Sequence, residues 1–190
     1  PVLFAPKHIK IANKDYLVFM LENGDLKIMN RVGRSRVRVN EKIDFSSNKP
    51  YLYNNNFIVT DKTGTLYSID TKGKISKTKL NYSEDHGLDA TIKTLVTTNE
   101  NILSIKGKNV TLDLGVYTHP DIFYVHDKIY ISVTDIQSQK VYLFDSNAQP
   151  IENFPVFGYS RIDLDDIDND RKIEFICKDE ENALVLYKIN

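Results

Sequence analysis

The strongest constraint on the fold of this chain is a β-hairpin that recurs along it. The clearest copy, residues 55–74, has β-branched and aromatic residues in two short segments and Asp, Gly and Lys in the turns. One hairpin cannot bury its apolar face alone, so the copies are expected to pack on one another. The other copies occupy residues 15–30, 101–114, 128–145 and 172–187.

The copies follow each other at intervals of about 30 to 45 residues, which is the spacing of β-propeller blades. A short apolar run precedes each hairpin and several copies have another run after it, so that a unit holds four antiparallel strands. No stretch sustains the 3.6-residue period of a helix. We therefore predict an all-β fold, a β-propeller of about five four-stranded antiparallel blades, in a single domain over residues 1–190.

The two ends of the chain suggest how such a ring closes. Residues 1–6 are similar to residues 154–158, which read as the end of an outer strand and the link to the next blade. We expect residues 1–6 to supply the fourth strand of the last blade, because a closed ring leaves no exposed sheet edge. The alternative is a part of a larger propeller, and the start at Pro1 without Met favours a trimmed piece of a longer chain.

The turn and second strand of the clearest copy read Gly-Thr-Leu-Tyr-Ser-Ile-Asp-Thr-Lys-Gly-Lys from Gly64 to Lys74. This segment resembles the repeat of PQQ-like, quinoprotein-type β-propellers, roughly Gly-x-Leu-Tyr-Ala-Leu-Asp-x-x-Thr-Gly-Lys. The other copies match more loosely, and the last one opens its second strand at Asn182. The chain has no Trp, which many quinoprotein repeats carry, and this counts against PQQ-dependent dehydrogenase chemistry. No organic cofactor is expected.

An Asp-rich segment at residues 163–174 is the sharpest candidate for a metal site. It resembles the Asp-x-Asp-x-Asp-Gly-x-x-Asp loops of FG-GAP/VCBS-type propeller repeats, but Arg171 stands where the family has a Gly that permits a sharp turn. Two interpretations stay open, a Ca²⁺ site built of carboxylate oxygens and a metal-free turn. The candidate ligands fall at positions 1, 3, 5 and 9 of a calcium loop and are Asp166, Asp168, Asp170 and Glu174.

Tyrosines outside the long strands are the candidate partner-binding residues. They lie in loops and short first strands, where side chains are expected to reach a face of the propeller, and Tyr is a favoured anchor at binding surfaces. The candidates are Tyr51, Tyr53, Tyr82, Tyr117 and Tyr159.

Two other polar features have competing interpretations. Arg34, Arg36 and Arg38 alternate along a predicted strand and so share one face, either as charges that discourage edge pairing or as a patch for an anion or an acidic partner. His86 lies in a polar segment between blades, and we expect it in a surface loop. None of the His residues has the spacing of a zinc site.

Bulk composition narrows the function only by class. The net charge of −1 provides no general attraction for nucleic acid, and no apolar run is long enough to span a bilayer. We expect a monomeric, non-catalytic binding or scaffold module for a protein or glycan, and the family resemblances imply an extracytoplasmic location. The alternatives are a purely structural domain and a glycosidase- or lyase-type enzyme with carboxylates in a central funnel. The carboxylates considered for that funnel are Asp44, Asp89, Asp121 and Asp163.

Overall fold

The structure, a computed structural model, describes residues 1–180 and 183–189; Asn182 of the last repeat lies outside them. These residues form five antiparallel sheets, and no helix occurs among them. In every sheet, strands that follow one another in sequence are also neighbours in space. The fold is therefore an all-β propeller of five blades, as the repeat spacing predicts. Within the described part of the chain, no helix is long and apolar enough to cross a membrane.

The first two blades have four strands each. They are β1 (Lys7–Ile11), β2 (Lys14–Met20), β3 (Leu26–Met29) and β4 (Ser35–Val37), then β5 (Tyr51–Tyr53), β6 (Asn56–Thr60), β7 (Thr65–Ile69) and β8 (Ile75–Lys79).

The third and fourth blades also have four strands, and the fifth has three in the described residues. They are β9 (Gly87–Ala90), β10 (Leu95–Asn99), β11 (Ile102–Ile105), β12 (Lys108–Thr111), β13 (Asp121–Val125), β14 (Lys128–Asp135), β15 (Lys140–Asp145), β16 (Val156–Phe157), β17 (Asp163–Asp165), β18 (Ile173–Lys178) and β19 (Leu184–Ile189).

The chain divides into two compact units. The first comprises Pro1–His86 and Ala90–Lys93 and holds the first two blades, and the second comprises Gly87–Asp89 and the chain from Thr94 onward. In the first unit, side chains of one face of β2 pack against the neighbouring sheet, where the Tyr16 ring meets Phe57 edge-on with centroids 5.1 Å apart. In the second unit, Phe175 is buried and stacks on Tyr187 at 4.8 Å. Burial alternates along β2, whereas strands such as β6 and β14 are buried along nearly their whole length, and both kinds of strand contribute to the cores.

An Asp or Asn closes the turn between the third and fourth strands of a blade. At Asp70, the backbone N–H bonds to the Lys74 carbonyl, and the Oδ1 atom accepts the N–H groups of Lys72 and Lys74 at 2.8 and 2.9 Å. Gly73 has a φ of +89°, which fits a type I turn followed by a left-handed residue. The same arrangement recurs in other blades at Asn30 and at Asp145.

Two local expectations need correction. The dipeptide Asn23-Gly24 is typical of a type I′ turn, which would need a positive φ at both residues, but of the two only Gly24 has one, +83°. In the third blade, the copy predicted at residues 101–114 covers β11 and β12, the third and fourth strands, so the apolar run before it is the second strand, β10, and the first strand is β9. The sequence signal was weak there because the β10–β11 turn places Glu100, not a Gly or Asn, at a φ of +54°.

The expected closing strand is not formed by residues 1–6. Val2 makes an isolated bridge with Leu21 at the end of the hairpin that follows it. The last sheet has the order β17-β18-β19 in the described residues, without a fourth strand. Residues 1–3 instead make the contact of a link between blades, because the Leu3 N–H bonds to the Met20 carbonyl as the Tyr159 N–H bonds to the Lys178 carbonyl.

Candidate functional site

The Asp-rich segment forms the loop between β17 and β18 and is organised by its first carboxylate. Asp166 accepts the backbone N–H groups of Asp170 and Arg171 at 3.1 and 3.0 Å. Arg171, at the position where the related loops have Gly, adopts a φ of +68°. The Asp166 side chain is only 6% exposed, and its Oδ2 atom lies 2.8 Å from His126 Nε2. The loop thus keeps the sharp turn of a calcium loop despite the Arg.

Carboxylate oxygens converge inside this loop. Ligand atoms of Asp166, Asp168 and Glu174 lie within 4.8 Å of one another. Glu174 is 5% exposed, and its Oε2 atom accepts the Ile167 N–H at 3.1 Å. Spacing of this order suits the coordination sphere of a hard cation.

A lysine ammonium already lies among these oxygens. Lys188 Nζ is 3.0 Å from Asp168 Oδ2, 2.8 Å from Asp170 Oδ2 and 2.9 Å from Glu174 Oε1. The hydrogen bond from Lys188 is the main cause that holds the pKa of Asp170 below its ordinary value, and the same carboxylates raise the pKa of Lys188. The ammonium thus makes contacts that a metal ion among these oxygens would make, and metal binding by the loop stays a prediction.

A second polar site lies in the first blade. A concave surface with a volume of about 280 Å³ forms between the β1–β2 turn and the β3–β4 turn. Asn30 holds the second turn, because its Oδ1 atom accepts the N–H groups of Val32 and Arg34 at 3.1 and 3.0 Å. The lining residues are Asn13, Lys14, Asp15, Asn30, Arg31, Val32 and Arg36. We call this the first-blade pocket.

The first-blade pocket carries more positive than negative charge. Its one carboxylate, Asp15, is shared between His8 Nε2 at 2.8 Å and Arg31 Nε at 3.2 Å, and the hydrogen bond from His8 is the main cause of its lowered pKa. The Arg36 guanidinium lies 5.3 Å from the centre of the Tyr16 ring, which holds it by a cation–π interaction. Among the described residues, neither Lys14 nor Arg36 forms an ion pair.

The candidate tyrosines are dispersed. Tyr51 and Tyr53 lie in β5 and are half-buried, and Lys7 Nζ is 5.7 Å from the Tyr51 ring centre. Tyr82 is half-buried and its ring is 5.8 Å from that of His86. Tyr117 and Tyr159 belong to the second unit and are described next.

Tyr117 and Tyr159 differ in environment. Tyr117 packs against Tyr142, with centroids 6.2 Å apart, and donates its hydroxyl to the Asp113 carbonyl at 2.8 Å. Burial is the main cause that raises the pKa of Tyr117. Tyr159 is 46% exposed, and it is the most accessible of the five candidates because the other four are half-buried. Its backbone N–H bonds to the Lys178 carbonyl. Their role in partner binding stays a prediction.

The carboxylates considered for an enzyme have local partners. Asp44 is 78% exposed and lies 3.3 Å from Lys62 Nζ, and Asp163 accepts the Leu164 N–H at 3.1 Å. Asp89 accepts the Ile122 N–H at 2.8 Å, and Asp121 forms a two-point ion pair with Arg161. Each carboxylate thus has a structural contact within its own compact unit.

His86 is buried, which corrects the expectation of a surface loop. It has 0% exposure; its Nδ1 atom lies 2.7 Å from the Ser83 carbonyl and its Nε2 atom 2.9 Å from Thr60 Oγ1. The carbonyl can only accept, so Nδ1 carries the proton and Nε2 accepts the Thr60 hydroxyl. Ser46 and Asn48 complete a buried polar network that fastens this segment to the second blade.

Sequence reasoning missed the residue that most changes the interpretation of the acidic loop. Lys188 pairs with Glu174 across the β18–β19 hairpin, and the two are register partners. The signal was available in principle, because fixing the hairpin register places these two residues opposite each other. The first-blade pocket was not predicted: of the arginine patch at Arg34, Arg36 and Arg38, only Arg36 lines the pocket.

Comparison with solved structures shows the fold. The computationally designed Ika8 protein has a TM-score of 0.62 at 12% identity, over 96% of this chain and 57% of that chain. BBS1N in complex with ARL6DN has a TM-score of 0.66 at 16% identity, over 97% of this chain and 64% of that chain. Virginiamycin B lyase from Staphylococcus aureus, a catalytically inactive variant with quinupristin, has a TM-score of 0.57 at 12% identity, over 97% and 74%.

BBS1N and virginiamycin B lyase are propeller-type folds, in agreement with the five blades described above. This chain spans less than two thirds of the length of the Ika8 and BBS1N chains. No family model matches the sequence, and no curated protein matches it.

Proposed function

We propose that this chain is a non-catalytic binding module and that its first-blade pocket receives an acidic segment of a protein partner. The observation that carries the proposal is the uncompensated positive charge of a concave site. Lys14 and Arg36 face a pocket whose only carboxylate, Asp15, is already shared by His8 and Arg31. An anionic group entering the pocket would meet cations without displacing an existing ion pair.

The shape and chemistry of the site favour a carboxylate beside an apolar side chain. The guanidinium of Arg36 can donate two parallel hydrogen bonds to a carboxylate, and its position over Tyr16 reduces the freedom lost on binding. Val32, at the rim of the pocket, is 76% exposed and offers an apolar contact. An acidic peptide with interspersed aliphatic residues has both features.

The structural neighbours support a binding role by analogy of fold. BBS1N, which has the highest TM-score of the three structures compared, was solved in complex with another protein, ARL6DN. Propellers also serve as enzymes, as the lyase shows, so the fold alone does not choose between these functions. The charge of the first-blade pocket is the feature specific to this chain.

The proposal is tested with a labelled peptide of alternating Glu and Leu, using fluorescence anisotropy. We expect saturable binding that weakens with rising salt, because the charges involved are exposed. The double variant Lys14→Gln/Arg36→Gln should weaken binding about tenfold, the sum of two exposed ion pairs. The matched control is Lys72→Gln/Lys74→Gln, which removes the same charge from a turn of the second blade whose backbone contacts remain.

Equal binding by both double variants would contradict the pocket as the site. A peptide with Gln in place of Glu should not bind, and its binding would contradict charge recognition. Tighter binding of a sulfated glycan than of the acidic peptide would redirect the proposal to a glycan-binding module. Hydrolysis or elimination on a glycan substrate would instead favour the enzyme alternative.

We also propose that the repeat is of the quinoprotein type and that the protein has an extracytoplasmic location. The support is the Gly64–Lys74 segment, which follows the repeat pattern closely, and the Asp-rich loop that resembles FG-GAP loops. Fractionation of source cells with an antibody to this chain tests the location, and recovery with the cytoplasmic fraction would contradict it.

A further inference from the structure

We propose that the Lys188 ammonium is the resident cation of the acidic loop and holds the place that a divalent cation would otherwise take. The inference rests on geometry. An ammonium has three N–H donors, and Lys188 Nζ lies 2.8–3.0 Å from oxygens of three carboxylates. Two of these contacts are hydrogen bonds, to Asp168 and Asp170.

The third contact explains why the loop needs a cation at all. Glu174 Oε1 is buried and has no hydrogen-bond partner among the described residues, and only the charge of Lys188, 2.9 Å away, compensates it. A carboxylate removed from water without a counter-charge is strongly destabilising. The hairpin register places a counter-charge beside Glu174, because Lys188 is its direct cross-strand partner.

The rest of the loop has the framework of a cation site. Asp166 is tied by two backbone N–H groups and by His126, while Asp168, Asp170 and Glu174 direct oxygens at one point. Ca²⁺ needs six to eight oxygens at about 2.3–2.6 Å, which an ammonium among them prevents. The loop is therefore a cation site in which the side chain of Lys188 takes the place of a metal ion.

The experiment compares the wild type with Lys188→Met, by thermal unfolding and by titration calorimetry with CaCl₂. The wild-type Tm is expected to be the same in CaCl₂ and in chelator, without measurable binding heat. Lys188→Met should have a lower Tm in chelator and recover several degrees in CaCl₂. Its Kd should be on the order of 10⁻⁴ to 10⁻³ M, as in weak calcium modules. The matched control, Lys172→Met, removes an exposed lysine of the same loop and should behave as the wild type.

A rise of the wild-type Tm in CaCl₂, or a Lys188→Met variant with wild-type Tm and no response to CaCl₂, would overturn the proposal. If Lys188→Met does not fold, the double variant Glu174→Gln/Lys188→Met decides. It lacks the buried charge, so the proposal requires it to fold in chelator and to ignore CaCl₂. Failure of the double variant to fold in chelator would contradict the role of Lys188 as the counter-charge.

Discussion

At the residue scale, the most constrained side chain is a buried aspartate in the fourth blade. Asp135 has 0% exposure and accepts hydrogen bonds from the N–H groups of Val116 and Gln137, both at 3.0 Å, and from the Ser138 hydroxyl. Burial alone would raise the pKa of Asp135, but these donors outweigh it and hold the pKa below its ordinary value. A Cβ at Gly115 would lie 2.3 Å from Asp135 Oδ2, so only Gly fits beside this carboxylate.

Asp61, in the second blade, is also a buried aspartate that accepts several hydrogen bonds. Its Oδ1 atom accepts the N–H groups of Thr63 and Thr65 at 2.9 and 2.8 Å, and its Oδ2 atom accepts the Tyr67 hydroxyl at 3.1 Å. Burial would raise the pKa of Asp61, and these hydrogen bonds lower it overall. Burial of the Tyr67 hydroxyl and its hydrogen bond to Asp61 raise the pKa of Tyr67 to about 12.

The replacement Asp135→Asn tests how much the hydrogen bonds to Asp135 stabilise the fold. It keeps the oxygen that accepts the two N–H groups but replaces Oδ2, the acceptor of the Ser138 hydroxyl, by an NH2 group, and it removes the buried charge that strengthens all three hydrogen bonds. We therefore expect a loss of about 2 kcal/mol in the free energy of unfolding at pH 7. Urea denaturation measures it. The control is Asp44→Asn, at a carboxylate that is 78% exposed, where a change within about 0.5 kcal/mol is expected. Equal losses in the two variants would contradict a special role for Asp135.

The lowered pKa values also predict how stability depends on pH. A group with a folded pKa below its unfolded value, about 3.9 for Asp, stabilises the fold above that value. The contribution disappears as the pH falls through the folded pKa. The wild type should therefore lose stability below about pH 4, and Asp135→Asn should lose less over the same interval. Parallel acid titration curves for the two proteins would contradict this assignment.

At the scale of the element, the turn between the third and fourth strands depends on an Asp or Asn that is the last residue of the third strand or directly follows it. In the fourth blade, Asp145 Oδ1 accepts the N–H groups of Asn147 and Gln149 at 2.8 and 2.9 Å. The backbone of the turn then passes through Ala148 at a φ of +67°. The side chain supplies the acceptor that the turn backbone lacks, which explains why an Asp or Asn stands at this position in several blades.

This reasoning predicts different effects for two replacements at one position. Asp145→Ala removes the acceptor for two N–H groups and should cost about 1–2 kcal/mol in the free energy of unfolding. Asp145→Asn keeps an acceptor oxygen and should stay within about 0.5 kcal/mol of the wild type. Urea denaturation of both variants is the measurement. If Asp145→Asn falls as far as Asp145→Ala, the charge and not the hydrogen bonds stabilises the turn.

The hairpins were predictable from sequence because their determinants are local. Turn residues such as Asp70 and Gly73, flanked by alternating β-branched residues, specify the element within a dozen positions. The hairpin of the third blade was predicted one strand too far along the chain, because Glu100 adopts a left-handed conformation that is uncommon for Glu. Where the turn chemistry was atypical, the prediction of strand limits failed.

The sites were less predictable because they depend on tertiary neighbours. The role of Lys188 requires the register of the last hairpin, and the burial of His86 requires the packing of its segment against Thr60. The first-blade pocket combines two turns separated in sequence, of which Lys14 and Arg36 are members. Composition and motif spacing describe none of these contacts.

At the scale of the whole molecule, a chain of net charge −1 presents a local excess of positive charge in its first blade. The acidic loop of the last blade has the opposite character in composition, but Lys188 compensates much of its charge internally. This charge distribution supports the proposed acidic partner, because it places positive charge at one site without a general attraction for polyanions.

The measurement that tests the central claim most directly is amide chemical-shift mapping of the ¹⁵N-labelled chain during titration with the acidic Glu-Leu peptide. We predict that the largest shifts fall on the amides of residues 13–15 and 30–36, which line or adjoin the first-blade pocket. The amides of residues 166–174 should stay unchanged, because their loop is acidic. Largest shifts outside the first blade, or no shifts at saturating peptide, would contradict the account.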